Sequence, residues 1–129
     1  MNKIHFSSLT DHWSTPRSVF DKLDNEFDFN YDPCPLNADF DGLSMEWGER
    51  TFCNPPYSKL SKWIEKAYKE SLKNKLIVLL IPSRTDTKAW HEYIMKSTDI
   101  RFIKGRLKFG NAKHNAPFPS VIVVFDGRI

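Results

Sequence analysis

The run KLIVLLIP, residues 75–82, limits what this chain can fold into more than any other stretch. Residues 76–81 are all aliphatic, with no polar residue at alternate positions. The run is too short to span a membrane as a helix, and it lacks the alternation of a strand with one wet face. It therefore reads as a strand buried on both faces in the middle of a sheet. Such a sheet needs helices to cover it, and the flanking sequence supplies them. STPRSVFDKLDNEF carries the stripe Val19, Phe20, Leu23 and Phe27, with Ser14 or Thr15 as cap and Pro16 in the first turn. SKLSKWIEKAYKESLKN carries Leu60, Trp63, Ile64, Ala67, Tyr68 and Leu72 at helical spacing, with Lys and Glu opposite. SRTDTKAWHEYIMK enters a third helix, with Thr85 or Asp86 as cap, and places His91 on it in a structural role.

Strands are expected in FDFNYDPCP, where Phe27, Phe29 and Tyr31 alternate with polar residues, and in ERTFCNPPY, DIRFIKG and SVIVVFD. Residues 35–48 read as loop with a turn of helix. The alternation of helices with apolar strands predicts an α/β domain with a mixed, mostly parallel sheet. The last strands have no helix between them, so that terminal edge is expected to be antiparallel. A chain of 129 residues, 40% hydrophobic, fits a single domain over residues 1–129, with residues 1–12 as a flexible lead-in. A net charge of +3 permits a polyanionic partner without demanding one. Cys34 and Cys53 form no CxxC pair and have no zinc-ligand spacing, so free thiols and no metal are expected. With no signal-peptide pattern and no apolar run of membrane length, a cytoplasmic location and no membrane partner are expected.

In a sheet of this kind, ligands bind at the carboxyl ends of the strands. DPCP, NPPY and PSRTDT all fall at such ends and should gather on one rim. NPPY, Asn54 to Tyr57, has an ordinary reading as a turn beside a half-buried aromatic. It also has a chemical one. Pro56 holds Pro55 extended, so the Pro55 carbonyl has a fixed direction, and neither proline offers an N–H to pair with it. Asn54 adds an uncharged side-chain carbonyl, and Tyr57 a flat face. Two oriented acceptors and an aromatic shelf suit an aromatic amine held by both hydrogens.

NPPY resembles the catalytic [D/N/S]PP[Y/F/W] motif of the amino-group DNA methyltransferases. Around it, STPRSVFDKLDNEFDFNYDPCP, DGLSMEW, FCNPPYSKLSKWIEKA, LLIPSRTDTKAWHEYI, IRFIKGRLKFG and APFPSVIVVF are similar to the small phage-type DNA N6-adenine methyltransferases along almost the whole chain. The resemblance implies a reduced Rossmann-like methyltransferase fold and S-adenosyl-L-methionine as methyl donor. It implies DNA, double-stranded with the target adenine flipped out, as substrate, and a phage-encoded enzyme working in the host cytoplasm. Asn54, Pro55, Pro56 and Tyr57 would form the catalytic motif, with the amine donating to the Asn54 side-chain oxygen and the Pro55 carbonyl. No covalent intermediate is implied, so Cys53 need not be a nucleophile.

On the cofactor side the resemblance points to Asp32, Pro33 and Cys34 in YDPCP, although the glycines of the related D-P-F-x-G-x-G site are missing. Asp32 would face the methionine ammonium. Thr15 and Pro16 resemble an upstream Thr-Pro cofactor element, and Asp41 or Asp39 would accept from the ribose. Only about 20 residues separate Asp32 from Asn54, little for a parallel crossover. The adenosine pocket is then pared down, shallow, or completed by a second subunit in a homodimer. Of the basic residues Arg84, Lys88, Arg101, Lys104, Arg106, Lys108, Lys113 and His114, those favoured for DNA phosphates are Arg84, then Arg106 with Lys108 beside it. Trp13 could stack on a base or the cofactor, or simply pack. Two alternatives stay open: a non-catalytic nucleic-acid-binding relative, and methylation of another amino group, in cytosine N4, RNA or protein.

Overall fold

The structure, a computed structural model, describes residues 13–129. The expected lead-in, residues 1–12, lies outside the described residues. Its centre is β2 (Leu76–Pro82), buried at every position. β1 (Arg50–Cys53) pairs with it in parallel. β3 (Asp99–Phe102) and β4 (Ser120–Asp126) complete a four-stranded sheet of order β1-β2-β4-β3. β4 is antiparallel to β2 from Leu76↔Asp126 to Pro82↔Ser120, and β3 is antiparallel to β4.

The sheet is mixed, as expected. β1, β2 and β3 point one way and only β4 opposes them. By ladders, however, the sheet is not mostly parallel, because β4 is inserted between β2 and β3 and both of its pairings are antiparallel. The terminal edge is antiparallel as expected, since edge strand β3 pairs with β4, but the strand that opposes the others, β4, is interior. Burial explains the choice. β4 is buried at every position except Asp126 and needs neighbours on both sides. β3, with Asp99 and Arg101 and little burial, suits an exposed edge.

Side chains alternate across β2. Ile77, Leu79 and Ile81 join one core with α2 (Leu60–Ser71) and α3 (Lys88–Glu92). Leu76, Val78 and Leu80 join another with α1 (Arg17–Phe27), Phe109 and Ala116. Capping differs in detail from expectation. Pro16 itself precedes α1, its carbonyl accepting from Val19 and Phe20 N–H at 3.1 Å each, so neither Ser14 nor Thr15 is the cap. Thr87, not Thr85 or Asp86, caps α3, its hydroxyl accepting from Trp90 N–H at 3.3 Å. Leu72 falls just beyond α2 and is exposed.

The segment FDFNYDPCP departs most from expectation. Phe27 ends α1, and Asp28 stops the helix in the left-handed region at φ 55°. Phe29 then packs on the α1 side and Tyr31 on the opposite side. A single parallel bridge, Tyr31↔Thr51, sets this segment beside β1, with Phe52 N–H donating to the Tyr31 carbonyl at 3.0 Å.

The chain returns from Tyr31 to Thr51 without a crossover helix. A 3-10 turn, Gly42–Ser44, and Trp47 cover the sheet instead. Trp47 Nε1–H donates to the Gly42 carbonyl at 2.8 Å, and its ring lies 6.0 Å from that of Trp63. A Cβ at position 42 would sit 2.0 Å from the Pro33 carbonyl oxygen, so only glycine allows this approach.

Glu70 anchors the far side of this connection. It is 1% exposed and accepts from Trp47 N–H at 2.9 Å and from Lys75 Nζ at 2.8 Å. Lys66 and Lys73 reach its other oxygen at 3.0 and 2.9 Å. Desolvation pushes the carboxyl up, but the Lys75, Trp47, Lys73 and Lys66 hydrogen bonds outweigh it and hold the pKa at about 2. Lys75 also donates to the Trp47 carbonyl at 2.5 Å and pairs with Glu46 at 3.2 Å.

Candidate active site

β1 stops at Cys53, so Asn54 and both prolines lie just past its carboxyl end and leave the sheet ladder intact. Asn54 and Pro55 are buried. Pro56 is extended (φ −67°, ψ 148°) and leads into a 3-10 turn, Tyr57–Lys59, that feeds α2.

Asn54 opens into a cleft of about 410 Å³. Trp13, Phe20 and Phe52 give it aromatic walls, while Thr15, Asp32 and Cys34 supply polar groups. Asp32 Oδ1 accepts from Cys34 N–H at 2.8 Å, a short turn that fixes the carboxyl. Asp32 is solvent-exposed at the mouth of the cleft, and the atoms packed around its carboxyl raise its pKa to about 6, against that N–H, which favours the ionised form. A carboxylate placed at the mouth of an aromatic-walled cleft is one that a bound cation would stabilise. Cys53 is fully buried, and burial, with Cys34 and Asp32 nearby, pushes its thiol well up, which leaves it a poor nucleophile.

Tyr57 belongs to a second, more apolar cleft of about 620 Å³, walled by Trp13, Phe109, Ala116, Pro117 and Phe118. Phe118 meets the Tyr57 ring edge-on, with centroids 5.2 Å apart at 88°, and Phe109 backs Phe118 at 6.4 Å. A third cleft of about 280 Å³ joins Tyr57 and Ser58 to Arg84, Thr87 and Lys88. The loops DPCP, NPPY and PSRTDT thus share one rim, with NPPY in the middle.

Among the residues expected at the cofactor, Thr15, Asp32, Cys34 and Asn54 line the first cleft, while Pro16, Pro33 and Asp41 are not among its lining residues. Pro33 is buried under Gly42, and the Asp41 carboxyl accepts from Leu43 N–H at 3.0 Å as the cap of the 3-10 turn. Sequence reasoning missed Asp21, which lines the cleft from α1 one turn after Arg17, with which it pairs at 3.7 Å. The spacing of Arg17 and Asp21 on one helical face was the available signal.

Of the basic residues, Arg84, Arg106 and Lys108 are exposed, and Lys113 and His114 line the second cleft. Arg101 is instead engaged within the fold. It makes a two-pronged pair with Glu26 at 2.6 and 2.7 Å, binds Asp99 at 2.8 Å and lies over the Phe27 ring. His91 Nε2–H donates to the Thr85 carbonyl at 2.9 Å, a structural contact.

Among the described residues, no helix is long and apolar enough to cross a membrane. A comparison with curated proteins finds no match. A family profile, however, matches residues 4–125 of the 129. It covers the first cleft, NPPY and the second cleft together, and the chain belongs to the DNA N-6-adenine-methyltransferase (Dam) family.

Proposed function

We propose that the protein, as one domain, transfers a methyl group from S-adenosylmethionine to the N6 amino group of an adenine flipped out of double-stranded DNA at a short recognition sequence. The observation that carries this reading is the position of NPPY across two adjoining clefts. Asn54 lines the first and Tyr57 the second, with Trp13 common to both.

The donor set of the first cleft fits the methyl donor. Asp32 would hold its ammonium group, the Trp13, Phe20 and Phe52 rings its adenine, and Asp21 its ribose hydroxyls, since Asp41 is used as a cap. S-adenosylmethionine supplies the methyl group from its sulfonium. The second cleft would receive the adenine, its ring against Tyr57, which Phe118 and Phe109 keep from tilting.

Asn54 Oδ1 and the Pro55 carbonyl would then accept the two N6 hydrogens. Holding both draws the nitrogen lone pair out of the ring. The same two oxygens stabilise the positive charge that grows on N6 as its bond to carbon forms. The surplus N6 proton is afterwards given up to water. Arg84, at the cleft beside Tyr57, and exposed Arg106 and Lys108 would bind phosphates of the flanking duplex.

The test is incubation with methyl-labelled S-adenosylmethionine and mixed-sequence duplex DNA, followed by nucleoside mass spectrometry. Label in N6-methyladenine is expected, with Asn54→Ala reducing the rate by roughly 10²–10³-fold. Label in N4-methylcytosine, or an Asn54→Ala variant as fast as the parent, would overturn the proposal.

A further inference from the structure

Asn54 is 5% exposed, and its Nδ2 donates to the Trp13 carbonyl at 2.6 Å and to the Thr15 hydroxyl at 3.1 Å. A backbone carbonyl can only accept. The side of the carboxamide that faces Trp13 must therefore carry hydrogens, and Oδ1 must point away from it. Turning the amide over would press two acceptor oxygens together at a hydrogen-bond distance. Thr15 takes the second hydrogen, so both N–H groups are engaged.

The segment that provides these acceptors is itself fastened. Gly110 N–H donates to the Ser14 carbonyl at 2.9 Å, and Ser14 N–H donates to Asn111 Oδ1 at 2.9 Å. The loop between β3 and β4, which also walls the second cleft, thereby holds residues 13–15 against the end of β1.

We propose that residues 13–15 are a latch that orients the Asn54 carboxamide, with Thr15 as its positioning residue, and that this latch makes Asn54 irreplaceable by its isostere aspartate. An ionised carboxylate at 54 would set negative charge against the Trp13 carbonyl, whereas a protonated one could still donate to it. The proposal rests on the reading of Asn54 Oδ1 as an acceptor for the N6 amine. It gives Thr15 a task other than contact with the methyl donor.

The experiment compares kcat, the KM for DNA and calorimetric S-adenosylmethionine binding for Thr15→Val, Thr15→Ser, Asn54→Asp and Asn54→Ala. Thr15→Val should lower kcat on the order of ten-fold with unchanged donor affinity, and Thr15→Ser should restore most of it. Asn54→Asp should gain activity relative to the parent as pH is lowered from 8 to 5. The parent carries the same Asp32 in the cleft, so a gain confined to Asn54→Asp reports the new carboxylate together with its coupling to Asp32.

Undiminished kcat in Thr15→Val, loss of donor affinity in proportion to activity, or a pH-independent Asn54→Asp ratio would each overturn the latch. If those results came with an inactive Asn54→Ala, the role of Asn54 would stand and the latch alone would fall. Should the parent be inactive, the functional reading falls. The Asn54 side-chain amide protons would then decide the latch by NMR. Slow exchange in the parent and faster exchange in Thr15→Val are expected, and equal exchange in the two would refute it.

Discussion

Replacing Glu70 by alanine should be among the most damaging single changes in the molecule, although it touches neither cleft. The variant leaves Trp47 N–H without its acceptor and strips Lys75, whose side chain is 8% exposed, of its buried partner. Lys75 keeps the Trp47 carbonyl and Glu46, whose own side chain is largely exposed. Breaking one half of such a buried pair costs about 3–5 kcal/mol. The lowered pKa of Glu70, set by the same hydrogen bonds, gives a figure of the same order. A carboxyl held at about 2 in place of its ordinary 4.5 contributes ~3 kcal/mol at neutral pH. Lys66 and Lys73, with more solvent access, supply the smaller part of that shift. Against a total stability of about 5–15 kcal/mol, the loss should lower Tm by roughly 10–15 °C. Urea melts followed by tryptophan fluorescence, with Trp47 and Trp63 as reporters, would show the midpoint falling by roughly 1.5–2 M at constant slope. Because the folded-state pKa is depressed, this contribution is present above 4.5 and fades as pH falls toward 2, so parent and variant should converge in acid. Glu70→Met with Lys75→Met should recover the part of the loss that comes from the unpaired Lys75 charge, but not the part from the orphaned Trp47 N–H. A Glu70→Ala stability within about 1 kcal/mol of the parent, or a gap that persists at pH 2, would refute the reasoning.

Asp32 titrates with the opposite sign. Its pKa is raised from 3.8 to about 6, so its relief by protonation stabilises the fold below 3.8 and is lost as pH rises through 6. A cationic ligand needs the ionised form, so calorimetric affinity for S-adenosylmethionine should climb between pH 5 and 7 and then level, and Asp32→Asn should bind weakly with no such climb. Arg106→Ala combined with Lys108→Ala should weaken duplex binding without regard to sequence. The slope of log affinity against log salt should then flatten by about 2, and an unchanged slope would remove these residues from the interface.

What the sequence made legible was local. KLIVLLIP announces a two-faced strand because burial on both sides leaves no polar position to disguise it. NPPY is readable because proline constrains its own neighbours. The position of β4 was not readable, since SVIVVFD would satisfy any neighbour and only competition with the polar DIRF sends it to the interior. Glu70 sits in a helix rich in Lys and Glu and reads as part of a solvated face. Its burial depends on Trp47, 23 residues earlier. Thr15 reads as a cap or a cofactor contact, because a hydrogen bond to Asn54 across 39 residues has no signature in spacing. Asp41 looked like a ligand for the same reason that it caps a turn: a short carboxylate in a loop accepts from whatever N–H is near, and here that is Leu43.

The insertion of β4 between β2 and β3 also sets the order in which the molecule can be completed. During synthesis β2 and β3 are made first, and each must wait for residues 120–126 before its inner edge is paired. Until then the aliphatic run of β2 has only β1 beside it, and its other edge offers backbone groups to any extended chain nearby. The pairing that resolves this joins segments far apart in sequence, which is slow to form. A newly made chain is therefore most exposed to misassembly in the interval before β4 arrives.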